Sequence, residues 1–407
     1  MKLSSLVNNL EESVTLAASA RAKELQTQGR DILMLTIGEP DFTTPDNIAA
    51  AAKAAIDSGK ASFYTQAGGL PDLKDAVGTY FEKYYGYGVA RQEVVVTTGA
   101  KFALYAFFAS VLDAGDEVII PTPYWVSYAD QIKMVGGVPV FAVGKQEADF
   151  KVTVDQLDNL KTPQTRVLIL NSPSNPTGMI YTSDELRAIG NWAVDHDVLI
   201  LADDIYGRLV YNGNAFTPIS SLSDAIKNQT LIINGVSKTY AMTGWRIGFA
   251  VGNPEIISAM SKIVSQTTSN PSAVAQYAAI EALTGDQTDI ETMRAEFEQR
   301  LNTIFPLVNE IPGFEAIKPQ GAFYLFPKVA KAMAIKGFTD VTAFCDDILE
   351  ETGVAVVPGD AFGLGGFMRI SYATADEVLV DALARIKKAA DSIEGVDAAI
   401  ASIAAEK

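Results

Sequence analysis

The chain has 407 residues, 48% of them hydrophobic and 20% charged, and its formal net charge is -17 at pH 7. At this length a single hydrophobic core usually stops growing, so we expect two domains. Because 32 Lys and Arg face 49 Asp and Glu, the chain lacks the basic surface that binds a phosphate backbone, which excludes nucleic acid as a partner.

Cys345 is the only cysteine of the chain and His196 its only histidine. A disulfide framework is therefore impossible, and histidine-based zinc sites, Ser-His-Asp triads and Cys-His pairs lack the residues they need. We expect a buried, inert thiol at Cys345 and a surface or capping position for His196. Acid-base catalysis must then fall to Lys, Tyr or a carboxylate.

The sequence shows no membrane or secretion signal. No stretch stays apolar for the length of a membrane span, and the first residues lack the apolar core of a signal peptide. We therefore expect a soluble, cytoplasmic protein with no membrane partner.

The predicted elements begin with a helical segment over about residues 5–28, followed by a turn at Gly38-Glu39-Pro40. From residue 46 onward, short apolar runs alternate with helical patterns, which is typical of a mainly parallel sheet covered on both faces. The predicted strands of this sheet are 94–98, 117–121, 138–143, 167–171, 198–203, 231–234 and 246–251.

After residue 290 the pattern changes to a long charged helix and then a smaller unit. Strands are predicted there near 314–318, 322–327, 354–358 and 367–372, and helices near 339–351 and 376–393. The predicted fold class is thus α/β. A seven-stranded, mainly parallel sheet forms a three-layer αβα large domain of residues 46–290, and residues 1–45 with 291–407 form a small α+β domain.

Polar residues follow several of the predicted strands. After the first strand, Gly99, Ala100 and Lys101 open a helix, whose N-terminus offers free N–H groups to a phosphate. Taken alone, a tight turn explains this glycine better than a phosphate site does. Trp125 follows the second strand, either as core packing or as a plate for a flat ring.

Amide, acidic and basic residues follow the later strands. The fourth strand is followed by Asn171 and Asn175, more amides than a turn requires. The fifth ends in Asp203-Asp204, and carboxylates at the end of a buried strand need a helix to cap or a bound cation. The other residues at these ends are Tyr206, Lys238 and Arg246.

Ligands of open α/β sheets bind beyond the carboxyl ends of the strands, so we expect these groups to face one crevice. Together they form a phosphate cradle, an aromatic plate, an amide, an acid, a tyrosine and a lysine. This set fits pyridoxal 5'-phosphate, which needs a lysine for its Schiff base and an acid that keeps its ring nitrogen protonated.

The motifs resemble those of the class I aminotransferases among the fold-type-I pyridoxal-phosphate enzymes, and within them the subgroup of bacterial aspartate and prephenate aminotransferases. The resemblance runs nearly end to end. The matching segments are "GEPDF" (38–42), "YTQAGGLPDLKDA" (64–76), "TTGAK" (97–101), "PYWVSY" (123–128), "NSPSNPTG" (171–178), "DDIYGRLVY" (203–211), "GVSKTYAMTGWRIGFAVG" (235–252) and "RISYA" (369–373).

The resemblance implies that Lys238 forms the Schiff base and moves a proton between the substrate and the cofactor, for which its pKa must be lowered. It implies that Asp203 pairs with the pyridinium nitrogen and that Trp125 stacks on the ring. Asn175 and Tyr206 are expected to bond the phenolic oxygen.

The resemblance also implies a phosphate site and a homodimer. The phosphate residues are Gly99, Ala100, Lys101, Ser237 and Arg246. Tyr64 matches a tyrosine that reaches the phosphate of the neighbouring subunit, so we expect a homodimer with shared active sites.

Substrate binding is implied for Arg369, which resembles the arginine that grips the α-carboxylate with its planar fork. Gly38, Trp125 and Asn175 are expected to line the same pocket. Dicarboxylate-binding relatives have a basic residue shortly before the positions that match Ser13 and Thr15. This chain has Glu11-Glu12 there. The acidic pair disfavours aspartate and favours aromatic or neutral amino acids, although Lys101 offers a cation from across the dimer.

The implied function is amino transfer between an L-amino acid and a 2-oxo acid by a ping-pong Schiff-base mechanism. The alternative is a cysteine-conjugate C–S β-lyase with the same cofactor, since Lys238 and Arg369 serve both reactions. A transcription regulator on this fold needs an added DNA-binding domain, and a nicotinamide dehydrogenase needs a G-x-G-x-x-G turn between strand and helix. The sequence offers neither.

Overall fold

A computed structural model of the chain describes residues 2–8, 10 and 14–391. Glu11, Glu12 and Ser13, which bear on the substrate prediction, lie outside the described residues. The α-helices of the described part are α1 (Ser5–Asn8), α2 (Val14–Thr27), α3 (Asp46–Asp57), α4 (Pro71–Tyr84), α5 (Ala100–Val111), α6 (Ser127–Met134), α7 (Val154–Leu160), α8 (Ser183–Asp195), α9 (Asp224–Asn228), α10 (Pro254–Thr267), α11 (Ala273–Thr284), α12 (Thr288–Asn309), α13 (Ala330–Lys336), α14 (Val341–Thr352) and α15 (Asp376–Asp391). The strands are β1 (Leu33–Met34), β2 (Val94–Thr97), β3 (Glu117–Thr122), β4 (Val138–Val143), β5 (Thr165–Asn171), β6 (Leu199–Asp203), β7 (Thr230–Gly235), β8 (Gly248–Val251), β9 (Tyr324–Leu325), β10 (Val354–Ala355), β11 (Val357–Pro358) and β12 (Met368–Ser371).

The central sheet has seven strands in the order β2-β8-β7-β6-β5-β3-β4. All neighbouring strands are parallel except β8, which runs antiparallel to both β2 and β7. The predicted fold class, α/β with a seven-stranded and mainly parallel sheet, is confirmed.

Helices cover both faces of this sheet because successive strand residues point to opposite sides. In β2, Val94 and Val96 pack into one core cluster and Val95 into the other. Helices α3, α4, α8 and α11 contribute to the first cluster, and α5, α6 and α10 to the second. The continuous apolar runs of the sequence are therefore strands buried on both faces.

The C-terminal unit packs in a third core cluster, which also takes in Leu35 from the N-terminal segment and Ile205, Tyr206, Leu209 and Tyr211 from the segment after β6. Strand β1 pairs in parallel with β10, with Leu33 opposite Val354. Strands β9, β11 and β12 form an antiparallel sheet. These contacts support a small α+β domain built from residues 1–45 and 291–407, whose boundaries remain a prediction.

The strand predicted over 246–251 begins later than expected. Residues Thr243–Trp245 form a short 3-10 turn, and Arg246 adopts a left-handed φ of 58°. This conformation is incompatible with a strand, so β8 starts only at Gly248. Arg246 consequently lies in the loop before the strand.

Other local differences lie in the C-terminal unit and in the N-terminal segment. The strand expected near 314–318 is reduced to one bridge between Glu315 and Lys328, since Gly313 turns the chain with a φ of 81° and Pro319 lacks a donor for a ladder. Helix α13 was not predicted. The predicted N-terminal helix is described as the two helices α1 and α2.

His196 follows the last residue of α8, and its Nδ1 lies 2.8 Å from the carbonyl oxygen of Trp192. Cys345 is buried in α14, and burial raises the pKa of its thiol. Both positions agree with the sequence-based expectation. Within the described ranges, none of the helices has the length and apolar character needed to cross a membrane.

Candidate active site

A cleft of about 680 Å³ lies beyond the carboxyl ends of the parallel strands. It is lined by residues of the large sheet's strand ends, of the N-terminal segment and of the C-terminal unit. The structure brings most of the predicted site residues together there. Those that line the cleft are Gly38, Ala100, Lys101, Trp125, Asn175, Asp203, Tyr206, Ser237, Lys238, Arg246 and Arg369. Gly99 lies against the guanidinium of Arg246, whereas Tyr64 is 90% exposed on the surface.

Lys238 follows β7 and enters the cleft, where its Nζ donates a 2.6 Å hydrogen bond to the carbonyl oxygen of Gly38. Burial lowers the pKa of Lys238 to about 8, and the positive charges of Arg369 and Arg246 act in the same direction. The negative charges of Glu39 and Asp203 oppose this decrease. A substantial fraction of the amine is therefore neutral near physiological pH, as a nucleophile or general base requires.

Asp203 ends β6 and pairs with Asn171 of the neighbouring strand β5. The hydroxyl of Tyr128 donates to Asp203 Oδ2 at 2.6 Å, and the amide of Ile205 donates to Oδ1 at 3.3 Å. Burial raises the pKa of Asp203 to about 6, while these two donors and the charge of Lys238 restrain the rise. The carboxyl group is thus mostly ionised at pH 7 and can accept from a cationic donor.

Asp204 has a different environment from its neighbour. Its Oδ2 accepts a 2.9 Å hydrogen bond from Tyr85, whose oxygen accepts in turn from Asn234 Nδ2 at 3.2 Å. Burial and the charge of Asp203 raise the pKa of Asp204 to about 8, although Tyr85 opposes the rise. Each acid thus has its own tyrosine partner, and the pair does not need a shared cation.

The N-terminus of α5 faces the cleft, which Ala100 and Lys101 line. Gly99 is its N-cap with no side-chain cap, so first-turn N–H groups remain available to a ligand. Gly99 has a φ of 82°, and a Cβ built there would lie 2.3 Å from Arg246 Nη2. The glycine therefore lets the guanidinium approach the helix. Ser237 and Lys101 line the same cleft.

Trp125 forms part of the cleft wall, and the amine of Lys101 lies over its ring. The Nζ of Lys101 is 4.9 Å from the centroid of its ring. Tyr128 meets the same indole edge to face, with the centroids 5.4 Å apart and an interplanar angle of 84°. These contacts hold the indole as a fixed wall of the cleft.

Arg369 is buried on β12 with 3% of its surface exposed. Its Nη1 donates to Asn175 Oδ1 at 3.2 Å and its Nη2 to the carbonyl oxygen of Thr36 at 2.8 Å, while Nε has no hydrogen-bond partner among the described residues. No acid in the described part of the chain forms an ion pair with it. A buried cation without a counter-charge indicates an anionic ligand, and a carboxylate suits the planar fork.

Tyr206 and Tyr324 form a buried pair with their hydroxyl oxygens 2.9 Å apart. Burial raises the pKa of Tyr206 well above its usual value, so its hydroxyl stays protonated. The ring centroid of Tyr324 lies 4.5 Å from the guanidinium carbon of Arg369. Sequence reasoning missed Tyr324 and Tyr128: the "AFYLF" run predicts only a buried strand, and Tyr128 was seen only as part of "PYWVSY".

The arrangement can bind two anions around a reactive amine. Helix α5 and Arg246 suit a phosphate, and Arg369 suits a carboxylate. Lys238 and Asp203 provide a partly neutral amine and an ionised acid in the same cleft.

The profile of the family "Aminotransferase class I and II" matches residues 30–386 of the chain. The chain is 64% identical over 386 residues to the "Asparagine--oxo-acid transaminase" of Streptococcus mutans serotype c, covering 95% of this chain and 98% of that protein. It is 48% identical over 388 residues to the aspartate aminotransferase of Bacillus subtilis, again covering 95% of this chain and 98% of the relative.

Solved structures of aminotransferases have the same fold. The aspartate aminotransferase from Rhizobium meliloti superposes with a TM-score of 0.92 at 40% identity, covering 97% of this chain and 100% of that chain. The Thermus thermophilus aspartate aminotransferase with maleate gives a TM-score of 0.90 at 38% identity, covering 95% and 99%. The chain therefore belongs to the family of class I and II aminotransferases and is an aminotransferase.

Proposed function

We propose that this aminotransferase carries pyridoxal 5'-phosphate on Lys238 and transfers the amino group of L-asparagine or L-aspartate to a 2-oxo acid in a ping-pong cycle. The observation that carries the proposal is that Lys238, Asp203 and Arg369 meet in one cleft. They contribute an amine of lowered pKa, an ionised acid and a buried cation that forms no ion pair with any acid the structure describes.

The donor set of the cleft fits this cofactor. First-turn amides of α5, Ser237 and Arg246 offer donors for a phosphate. Asp203 offers a carboxylate for the protonated ring nitrogen. The other groups are Trp125 for the ring face, and Tyr206 and Asn175 for the phenolic oxygen. The Oδ1 of Asn175 already accepts from Arg369, which leaves its amide N–H groups as donors.

In the proposed mechanism, Arg369 binds the α-carboxylate of the substrate and fixes its Cα near Lys238. The neutral amine of Lys238 would act as the base that takes the proton from Cα and keeps it available for return within the cleft. Asp203 stays ionised and holds the ring-nitrogen proton in place. When bound, pyridoxal phosphate supplies the electron sink for this proton transfer.

The proposed substrates follow from the relatives and from the charge of the cleft. Proteins at 64% and 48% identity are named for asparagine and aspartate, respectively. Lys23 and Lys101 also line the cleft, where they offer positive charges to the side-chain carboxylate of aspartate. Asparagine has no side-chain charge, so it also meets the expectation of a neutral amino acid that Glu11 and Glu12 raised.

We also infer that the active form is a homodimer in which Tyr64 contributes to the partner's site. Tyr64 is 90% exposed, Phe63 is 77% exposed, and Ile56 on the adjacent helix is 59% exposed. Large exposed apolar side chains that lie close together in the sequence are consistent with a protein interface. Tyr64 does not line the cleft of its own chain, which supports a role across the interface.

The β-lyase alternative has no observation in its favour. The relatives and solved structures described above all carry aminotransferase or transaminase names. The two reactions remain distinguishable by product, because a lyase releases pyruvate and ammonia from cysteine conjugates whereas amino transfer leaves the amino group on the cofactor.

An absorbance titration tests the proposal. Purified protein loaded with pyridoxal phosphate is titrated with L-asparagine, L-aspartate, L-phenylalanine and a cysteine conjugate. We expect the visible cofactor band to give way to the pyridoxamine form, most readily with asparagine and aspartate, and a K238A control to show no such conversion. A protein that takes up no cofactor, or that releases pyruvate from the conjugate as its main reaction, would contradict the proposal.

A further inference from the structure

Tyr324 contacts two of the functional groups of the cleft at once. We propose that it is a positioning residue that links the carboxylate-binding Arg369 to the hydroxyl of Tyr206, and that its ring and its hydroxyl do separate tasks. The inference deepens the proposed function and rests on it, since the task of Tyr206 is to bond the phenolic oxygen of the cofactor.

The position of Tyr324 is fixed by the small sheet. It lies on β9 opposite Ser371 of β12, the strand that carries Arg369. Only 1% of its surface is exposed. The guanidinium carbon of Arg369 lies 4.5 Å from its ring centroid and 5.0 Å from that of Phe362. The buried guanidinium is therefore flanked by two aromatic rings.

The hydroxyl of Tyr324 lies next to Tyr206 and Gly38. It lies 2.9 Å from the hydroxyl of Tyr206. It also lies close to Gly38, since a Cβ built on that glycine would come within 3.3 Å of the oxygen. Burial raises the pKa of both tyrosines, so both hydroxyls keep their protons.

Proton accounting sets the direction of this hydrogen bond. Each hydroxyl has one proton to donate. If Tyr206 donates its proton to the phenolic oxygen of the cofactor, the proton between the two tyrosines must come from Tyr324. A hydroxyl that accepts a hydrogen bond becomes a better donor through polarisation. Tyr324 thus strengthens the bond that Tyr206 makes.

The two tasks have different consequences. A donor to the phenolic oxygen favours its anionic form, so losing the Tyr324 hydroxyl makes the bound cofactor hold its proton to a higher pH. The ring supports Arg369 by cation–π contact and by packing. Loss of the ring therefore weakens the binding of a carboxylate, whereas loss of the hydroxyl alone does not.

The experiment compares Y324F, Y324L and a Y372F control in the protein loaded with pyridoxal phosphate. Tyr372 is also fully buried, but its hydroxyl donates to the carbonyl oxygen of Ala322 at 3.2 Å and does not line the cleft. Two readouts are taken. One is the pH midpoint of the visible absorbance change, and the other is the dissociation constant of maleate, a dicarboxylate that has no amino group to transfer.

We expect Y324F to raise the midpoint by about 0.5 pH unit and to leave maleate affinity within about twofold. Y324L should raise the midpoint and also weaken maleate binding about tenfold. Y372F should change neither.

An unchanged midpoint in Y324F overturns the link to Tyr206, and this conservative variant decides that point even if Y324L does not fold. Maleate affinity that is unchanged in a folded Y324L overturns the link to Arg369. If the unmodified protein binds no cofactor, the proposed function itself fails.

Discussion

The amine of Lys238 donates a 2.6 Å hydrogen bond to the carbonyl oxygen of Gly38 across 200 positions of the sequence. A second contact joins the same two segments through Thr44, whose hydroxyl donates to the carbonyl of Ala241 at 2.8 Å and accepts from Trp245 Nε1 at 2.9 Å. The lysine is thereby held between the loop that follows a core strand and the N-terminal segment.

The acid-base behaviour of Lys238 can be measured directly. Its pKa of about 8 predicts that the neutral, reactive fraction in the cofactor-free protein rises about tenfold between pH 7 and pH 9. Competitive acetylation followed by mass analysis of the Lys238 peptide measures this fraction. In E39Q the pH midpoint of Lys238 acetylation should fall further, because the negative charge of Glu39 favours the protonated amine. A midpoint near that of an ordinary lysine would contradict the assigned environment.

Tyr128 is expected to control the ionisation of Asp203. Removing its 2.6 Å hydrogen bond in Y128F raises the pKa of Asp203 above about 6, so the carboxylate becomes protonated as the pH falls toward neutrality. We expect pyridoxal phosphate to bind about tenfold more weakly at pH 7, since a hydrogen bond to a charged group contributes about 1.5–3 kcal/mol. The loss should grow as the pH falls.

Equilibrium binding at several pH values provides the measurement for Y128F. Y181F is a matched control, because Tyr181 is buried but its hydroxyl accepts from the amide of Val152 at 3.0 Å, away from Asp203. Equal losses in both variants, or no pH dependence in Y128F, would argue against a specific role for Tyr128.

Gly99 should be required for the phosphate site. In G99A the new Cβ meets Arg246 Nη2 at 2.3 Å, so the guanidinium must move away from the helix N-terminus. We expect the dissociation constant of pyridoxal phosphate to rise at least about tenfold, the effect of losing one charge-assisted contact.

G213A separates this displacement from simple backbone strain. Gly213 also has a positive φ, 73°, but a Cβ there would meet nothing within 4 Å. It should lower the free energy of unfolding by about 1 kcal/mol, as strain alone does, and leave cofactor binding unchanged. If G99A binds the cofactor as tightly as G213A does, the assignment of Arg246 to the phosphate site is contradicted.

The proposed homodimer with shared active sites predicts complementation between variants. A Y64F/R246Q double variant and a K238A variant should each be nearly inactive as homodimers. Mixing them under subunit exchange should generate hybrids in which the residues are redistributed between the two sites. Lys238 and Arg246 of one site come from the same chain. In this hybrid the site with intact Lys238 carries R246Q, and the site with intact Arg246 carries K238A, so this pair should recover no activity. Y64F alone is expected to have reduced activity as a homodimer. Mixing Y64F with K238A should restore activity, because one hybrid site then receives Tyr64 from the K238A chain and Lys238 from the Y64F chain. Activity assays of the mixtures distinguish these cases, and no recovery in the second pair would contradict a shared site.

Much of the site could be predicted because it depends on strand ends. Carboxyl ends of parallel strands meet at one edge of a sheet, so residues that follow separate strands gather there. Asn171 and Asp203 are indeed paired in register on neighbouring strands, and Lys238 follows the next strand, β7. The apolar runs were long enough to show each strand, which also made the fold class predictable.

The remainder depends on tertiary contacts that leave no local pattern. Tyr206 and Tyr324 are separated by 118 positions, and their bond exists only because the small unit packs onto the large sheet. The apolar run that continues behind Arg246 predicts a strand there, whereas the residue follows a 3-10 turn and adopts a left-handed φ of 58°. The antiparallel direction of β8 likewise depends on that turn and not on composition.

Covalent attachment of the cofactor to Lys238 is tested most directly by reduction. The protein loaded with pyridoxal phosphate is treated with borohydride, digested, and analysed by mass spectrometry to locate the pyridoxyl group. We predict a single labelled peptide with the group on Lys238. A label on Lys101 or Lys23, which also line the cleft, or no label at all, would contradict the assignment.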